Sequence, residues 1–303
     1  MSRAQTGTSQ AQPQGFPELQ EAPDVQVGCQ PQDGPAWQGS LAPQAGLALY
    51  QRIRAYQRQA DTCGLEYQAD TRGLEYQADT CGPEYQADPR GLGYAVVDLE
   101  TTGLEPQDEA IIEVGVVLLD PHGREQLRWD SLVNPHRHPG PTRIHGITSD
   151  DLTDAPELGT LAPALVELLR GRVLVAHNIR FDASFLLPSL RLELGAAALP
   201  RKIPQVCTMN WARSFIDTPS RSLVRCCQVC GIELASHHRA IDDAAACAQL
   251  LNRYLGVIAS EYALFPHGIP WGKQLAKAVQ LWQQVPRCES SQVVRALQAR
   301  VGR

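Results

Sequence analysis

An α/β domain with a mixed sheet is the fold this sequence predicts, and three observations carry that prediction. The apolar residues are unevenly placed: residues 1–93 are rich in Gln, Pro, Gly and Ala, and dense apolar runs begin only at Tyr94. From there the pattern reads strand, strand, strand, helix, strand, helix, which calls for a hairpin and crossover connections in one sheet. Finally, residues 236–255, SHHRAIDDAAACAQLLNRYL, place apolar groups at helical spacing.

The elements follow in order. YAVVDLE (94–100) is a short apolar strand ending in carboxylates, and AIIEVGVVLLD (110–120) and EQLRWDSLVN (125–134) are the next two strands. The short turn PHG between the latter pair favours a hairpin. ITSDDL (147–152) opens a helical stretch, with Thr148 and Asp151 spaced as a capping box. Residues 157–171 are helical, VLVAH (173–177) is a buried strand, and RFDASFLLPSLRLEL (180–194) is a helix containing Pro188. A short strand near Val206 and helices at 208–216 and 221–230 lead to a long helix from Ala240 to about Leu255. Gly231 is placed to cap the helix before it.

Four segments result: a low-complexity extension (1–57), a repeat array (58–93), the α/β domain (94–258) and a helical tail (259–303). The array is RQADTCGLE, YQADTRGLE, YQADTCGPE, YQADPRGLG, with Tyr67, Tyr76, Tyr85 and Tyr94 marking the period. Nine-residue units holding a Gly and few apolar groups cannot stack a core, so the array is read as disordered. Residues 41–60 suggest a short helix through Leu47, Tyr50, Ile53 and Tyr56. In the tail, helices are expected over 273–285 and 290–301, either packing on the domain or docking a polymerase or nucleic acid.

No apolar stretch approaches the ~18 residues of a membrane span, and no signal-peptide core is present. Nine Cys in a chain of this size do not form a disulfide framework, so a reduced, cytoplasmic setting is expected. Net charge is −6, divided as 6 basic and 11 acidic groups in residues 1–93, 15 and 20 in 94–258, and 6 and 2 in 259–303. A polyanion-handling protein with this balance would hold its substrate through metals, backbone groups and scattered Arg.

Three local patterns carry chemistry. Asp98 and Glu100, two apart on a strand, point to one face. Asp182 falls in the first turn of a helix just after a buried strand, a place where the helix dipole alone favours an acid. In the third segment two His-x4-Asp pairs overlap, His237 with Asp242 and His238 with Asp243. Asp243, Cys247, Leu250 and Tyr254 share the core stripe, whereas Asp242, Gln249 and Arg253 lie towards water, so Asp243 is the inward acid. His238 then stands just before the helix, and His237 is a loop residue. Cys227-x2-Cys230 lacks a second pair at ligand spacing and is read as buried helix packing, and His136-Arg137-His138 as a solvated loop.

Taken together, VVDLETTG (96–103), HNIRFD (177–182) and HRAIDDA (238–244) resemble the three motifs of the DEDDh class of DnaQ-like exonucleases, which includes the proofreading epsilon subunit of bacterial replicative polymerase. IHGIT (144–148) resembles a further signature of that family. The resemblance implies an RNase H-like exonuclease fold, a mixed five-stranded sheet flanked by helices. It implies that Asp98 bridges two divalent ions, that Glu100 and Asp243 complete the shell of the first, and that Asp182 supports the second. His238 would be the general base. Hard oxygen ligands favour Mg²⁺, with Mn²⁺ as a substitute. Leu99, Thr101, Thr102, His145, Gly146, Ile147 and Phe181 would pack around the terminal nucleotide.

The implied activity is 3′→5′ hydrolysis at nucleic-acid 3′ ends, with DNA expected, in repair or proofreading. RNA trimming on the same fold is the alternative. A non-catalytic nucleic-acid-binding scaffold is disfavoured, because all five of Asp98, Glu100, Asp182, His238 and Asp243 are present.

Overall fold

The computed structural model describes residues 92–234, 238–262 and 270–302, with Gln51 and Arg54. The repeat copies up to residue 91, the rest of the 41–60 segment and His237 lie outside the described residues; Gln51 and Arg54 are helical.

β1 (Tyr94–Thr101) runs through the middle of the sheet because its residues are apolar on both faces as far as Val97. β2 (Ile111–Leu119) pairs with it antiparallel, from Tyr94↔Leu119 to Glu100↔Glu113, and β3 (Glu125–Leu132) adds the second hairpin strand. On the other side β4 (Val173–Ala176) and β5 (Gln205–Cys207) run parallel, so the order is β3-β2-β1-β4-β5. This is the expected mixed five-stranded sheet.

The period-two alternation of β1 divides the apolar residues between two cores. Ala95, Val97 and Leu99 face one layer, built from α3 (Leu158–Leu169) and α4 (Ile179–Leu194). Tyr94 and Val96 face the other, formed by α5 (Thr208–Phe215), α6 (Leu223–Cys230) and α7 (Ala240–Tyr262). Each fully buried Leu, Val or Ile contributes roughly 1.5–3 kcal/mol relative to exposure. The two short helices α1 (Thr142–His145) and α2 (Ser149–Leu152) lie in the connection from β3 to α3.

Local signals behave as the sequence suggests. Thr148 and Asp151 form a complete capping box, with the Thr148 N–H donating to the Asp151 carboxylate at 2.7 Å. Gly231 is a left-handed C-cap whose N–H reaches the Cys227 and Gln228 carbonyls, and Cys226 and Cys227 are buried. Two features differ. α1 is a single turn, too short to show a helical period. α7 also runs past Leu255 to Tyr262; Gly256 costs a helix about 1 kcal/mol, but Ile258 is buried in the same core and carries the stripe onward.

The segment beyond residue 258 packs on this domain. α8 (Pro270–Trp282) contributes Leu275, Ala278 and Trp282 to the two cores, and α9 (Ser290–Ala299) contributes Val293, Ala296 and Leu297. Arg170 closes the end of α8: its guanidinium donates to the carbonyls of Val285 (3.1 Å) and Pro286 (2.8 Å) and lies 4.9 Å from the Trp282 ring centre. The buried Arg300 pairs with Asp130 at 3.3 Å, and the Val301 carbonyl accepts the Leu132 N–H at 2.6 Å. Two of the segment's cations are thus paired with acids of the domain, the exposed Arg287 with Glu167 at 3.6 Å and the buried Arg300 with Asp130. Among the described residues no helix is long and apolar enough to cross a membrane.

Candidate active site

Carboxylates gather where β1 ends. Asp98 and Glu100 share one face of the strand, and their cross-strand partners on β2 are Gly115 and Glu113. Asp182 arrives from the first turn of α4, directly after β4, and is buried. Asp243 arrives from the first turn of α7 at 5% exposure, while Asp242 turns outward and pairs with Arg239 at 3.8 Å. His238, just ahead of α7, has a left-handed φ of 72°, uncommon for a residue with a side chain. Ligand atoms of Glu100, His238 and Asp243 lie within 4.8 Å of one another.

The electrostatics reflect this crowding. Burial first, then Asp182, Asp243, Glu100 and Glu113, push the Asp98 carboxyl well above the ordinary carboxylate range. Burial lifts Asp182 to about 7, opposed by hydrogen bonds from its own amide and that of Leu99. So many buried acids are unfavourable unless protons or cations offset them. An all-oxygen cluster with one adjacent imidazole suits hard divalent cations, so the donor set fits the implied metal pair.

A string of polar contacts ties the surrounding elements together. His177 Nε2 donates to the Arg221 carbonyl at 2.8 Å, which leaves Nδ1 to accept from the Thr208 hydroxyl at 3.0 Å. Thr208 in turn meets Cys247 Sγ at 3.3 Å. Burial lowers the His177 pKa and favours this neutral form. The string joins the end of β4 to α5, to the loop before α6, and to α7.

The structure brings Asp98, Glu100, Asp182, His238 and Asp243 into one cluster. The residues assigned to substrate are more varied. Leu99 points into the core and offers its amide to Asp182. The Thr101 hydroxyl donates to the Gly103 carbonyl at 2.6 Å, and the Thr102 hydroxyl bonds the Glu109 carboxylate and accepts the Ala110 N–H at 3.0 Å. His145 is buried, with Nδ1 accepting the Ile147 N–H at 3.1 Å, and Ile147 fills a small core with Ile112, Leu132 and Leu152. Gly146 is exposed, and Phe181 is half-buried with its ring 5.0 Å from that of Phe185. Glu113 is a buried acid beside the cluster that motif reading passes over; its signal is a lone carboxylate inside the apolar run IIEVGVVLL.

A family model for exonucleases (RNase T) matches residues 95–251, just over half of the chain. The PolC-type DNA polymerase III of Bacillus cereus is 36% identical over 167 residues, covering 54% of this chain and 11% of the relative. That of Thermotoga petrophila is 32% identical over 164 residues, covering 54% and 12%. The epsilon subunit of DNA polymerase III from Treponema pallidum is 32% identical over 166 residues, covering 53% of this chain and 75% of the relative. The chain therefore matches only a small part of the PolC-type relatives but most of the epsilon subunit. In fold it is similar to exonuclease I, with a TM-score of 0.50 at 17% identity, covering 56% of this chain and 43% of that one. With the sheet order and these similarities in agreement, the chain belongs to the RNase T exonuclease family.

Proposed function

We propose that the protein hydrolyses the terminal phosphodiester at DNA 3′ ends, releasing nucleoside 5′-monophosphates. The observation that carries this reading is the approach of Glu100, His238 and Asp243 ligand atoms to within 4.8 Å, beside the half-buried Asp98 and the buried Asp182. Asp98, Glu100 and Asp243 would hold one divalent cation, and Asp98 with Asp182 a second; Mg²⁺ is the expected ion and Mn²⁺ a substitute. When bound, such a pair lowers the pKa of water and neutralises charge on the attacking and leaving oxygens.

The chain's own residues supply the rest. His238 takes the proton from the water whose oxygen bonds to phosphorus, while the bond from phosphorus to the upstream 3′ oxygen breaks and that oxygen gains a proton. Imidazole is the side chain best suited to take up and release a proton near neutral pH. The Leu99 amide and the first turn of α4 hold Asp182 in place. The similarity to PolC-type and epsilon proteins supports DNA as the substrate and a replicative polymerase as a partner.

The test uses single-stranded DNA, duplex DNA and RNA, each 5′-labelled, with and without Mg²⁺. Stepwise shortening from the 3′ end of DNA that stops on chelation is the expected result. Internal cuts, or shortening that persists without metal, would overturn the reading; faster shortening of RNA would reassign the substrate.

A further inference from the structure

Glu113 belongs to none of the three motifs, yet it is among the most enclosed acids of the described residues, at 1% exposure. Across the β1–β2 ladder it stands directly opposite Glu100, an arrangement of like charges that costs stability unless something compensates. Its Oε2 accepts the N–H of Ala240 at 3.2 Å, 127 positions further along the chain. Ala240 is the first residue of α7, so the carboxylate satisfies one of the open N–H groups of that helix and faces the positive end of its dipole.

A second contact lies two residues on. Gly115 is opposite Asp98 in the ladder, and a methyl group there would run into the backbone of Ala240 and come within 2.5 Å of the Ile241 nitrogen. The first turn of α7 therefore rests on β2 at two points, one a hydrogen bond and one a backbone approach that only glycine permits. His238 precedes this turn by two residues and Asp243 follows its start by three, and the His238 N–H donates to Asp243 Oδ2 at 3.3 Å. Both residues move with the turn.

We infer that Glu113 is a positioning residue: by gripping Ala240 it fixes the first turn of α7 against the sheet and so sets Asp243 and His238 relative to Asp98 and Glu100. This rests on the proposed metal-dependent reaction, with Glu113 acting through α7 and not as a ligand. The role depends on an acceptor oxygen, which glutamine also supplies.

The experiment compares Glu113→Gln, Glu113→Ala and Gly115→Ala in the full chain. Its readouts are Mn²⁺ binding followed by electron paramagnetic resonance, single-turnover cleavage of labelled DNA, and amide exchange over residues 238–243. Glu113→Ala should weaken Mn²⁺ binding and slow cleavage by about 10–100-fold, the range seen when groups supporting metal ligands are removed, with the KM for DNA little changed. Exchange at Ala240 should rise. Glu113→Gln should restore all three readouts to near wild type. Gly115→Ala should reproduce the alanine phenotype by pushing the turn away, and it stands in for Glu113→Ala if that variant does not fold. Wild-type behaviour of Glu113→Ala, or of Gly115→Ala, would overturn the inference. A glutamine variant as impaired as the alanine one would also overturn it, by showing that the negative charge itself is required. Should the wild type bind no Mn²⁺, the proposed reaction fails, while the exchange data still decide whether Glu113 positions α7.

Discussion

The backbone N–H of His238 donates to the carboxylate of Asp243 at 3.3 Å, from a residue held at φ 72°. The His238 backbone and the acid thus form one local unit, and the neighbouring Asp242 is turned to Arg239. Asp243→Asn should be severe and Asp242→Asn mild in single-turnover cleavage. His238→Ala should lose about 10²–10⁴-fold, the usual contribution of a general base. Equal sensitivity at Asp242 and Asp243 would break the assignment of the inward face of α7.

Removing charge from the acid cluster should separate stability from activity. Asp98→Asn removes a charge that is costly to bury and that repels Asp182, Asp243, Glu100 and Glu113, so the metal-free variant should be more stable. Its cleavage should be abolished, since Asp98 is the acid proposed to bridge both cations. Urea unfolding in a chelating buffer measures the first effect, and the DNA assay the second.

Acidity should oppose metal. Burial lifts Asp98 and Asp182 above ordinary carboxylates, Asp182 to about 7, so the folded chain keeps protons that the unfolded chain has already released. Stability from these groups is present below about pH 4 and is lost as pH rises through about 7. In metal-free buffer, the wild type should therefore lose stability relative to Asp182→Asn across that window. Added Mn²⁺ competes with the same protons, so its stabilisation should grow with pH. Melting curves of both proteins at several pH values, with and without Mn²⁺, check this; a wild type that gains on the variant as metal-free pH rises would contradict it.

The C-terminal helices should act as a brace. Leu297→Ala in α9 should cost about 2–5 kcal/mol, because Leu297 is fully buried against the first core. Truncation after residue 258 removes Leu275, Trp282, Val293 and Leu297 from the two cores and should unfold the domain or lower its melting temperature sharply. A truncated chain that melts like the full one would show that these contacts add little.

Removal of residues 1–90 should leave cleavage and melting unchanged, whereas removal through Gly93 should destabilise. Leu92 is buried, and its carbonyl accepts Arg172 Nη1 at 2.6 Å. Comparing the two deletions by melting temperature locates the edge of the folded unit.

Much of this was legible in the sequence because the signals are local. Asp98 and Glu100 are two apart, the His238–Asp243 unit spans one helical turn, and the stripe through Cys247, Leu250 and Tyr254 identifies the inward acid without any knowledge of what faces it. Glu113 was hidden because its partner, Ala240, is 127 residues away, and no spacing rule reaches that far. The tail illustrates a different limit. Apolar spacing in α8 and α9 tells that a face is covered, but whether by this chain or by another depends on tertiary contacts such as Arg170 with Val285 and Pro286. The family resemblance assigns Thr101 and Thr102 to the substrate, whereas their hydroxyls are engaged with Gly103 and Glu109.

The direction of β1 has a consequence for everything attached before it. The chain enters the sheet at Tyr94, paired with Leu119 and Val173, and the acids emerge at the far end of the same strand. At about 3.3 Å per residue, the entry point and Glu100 are separated by roughly 20 Å of buried strand. Whatever is joined ahead of Leu92 therefore enters the sheet at the end of β1 away from the carboxylates. A cargo fused ahead of Leu92 would be attached on the side opposite Glu100.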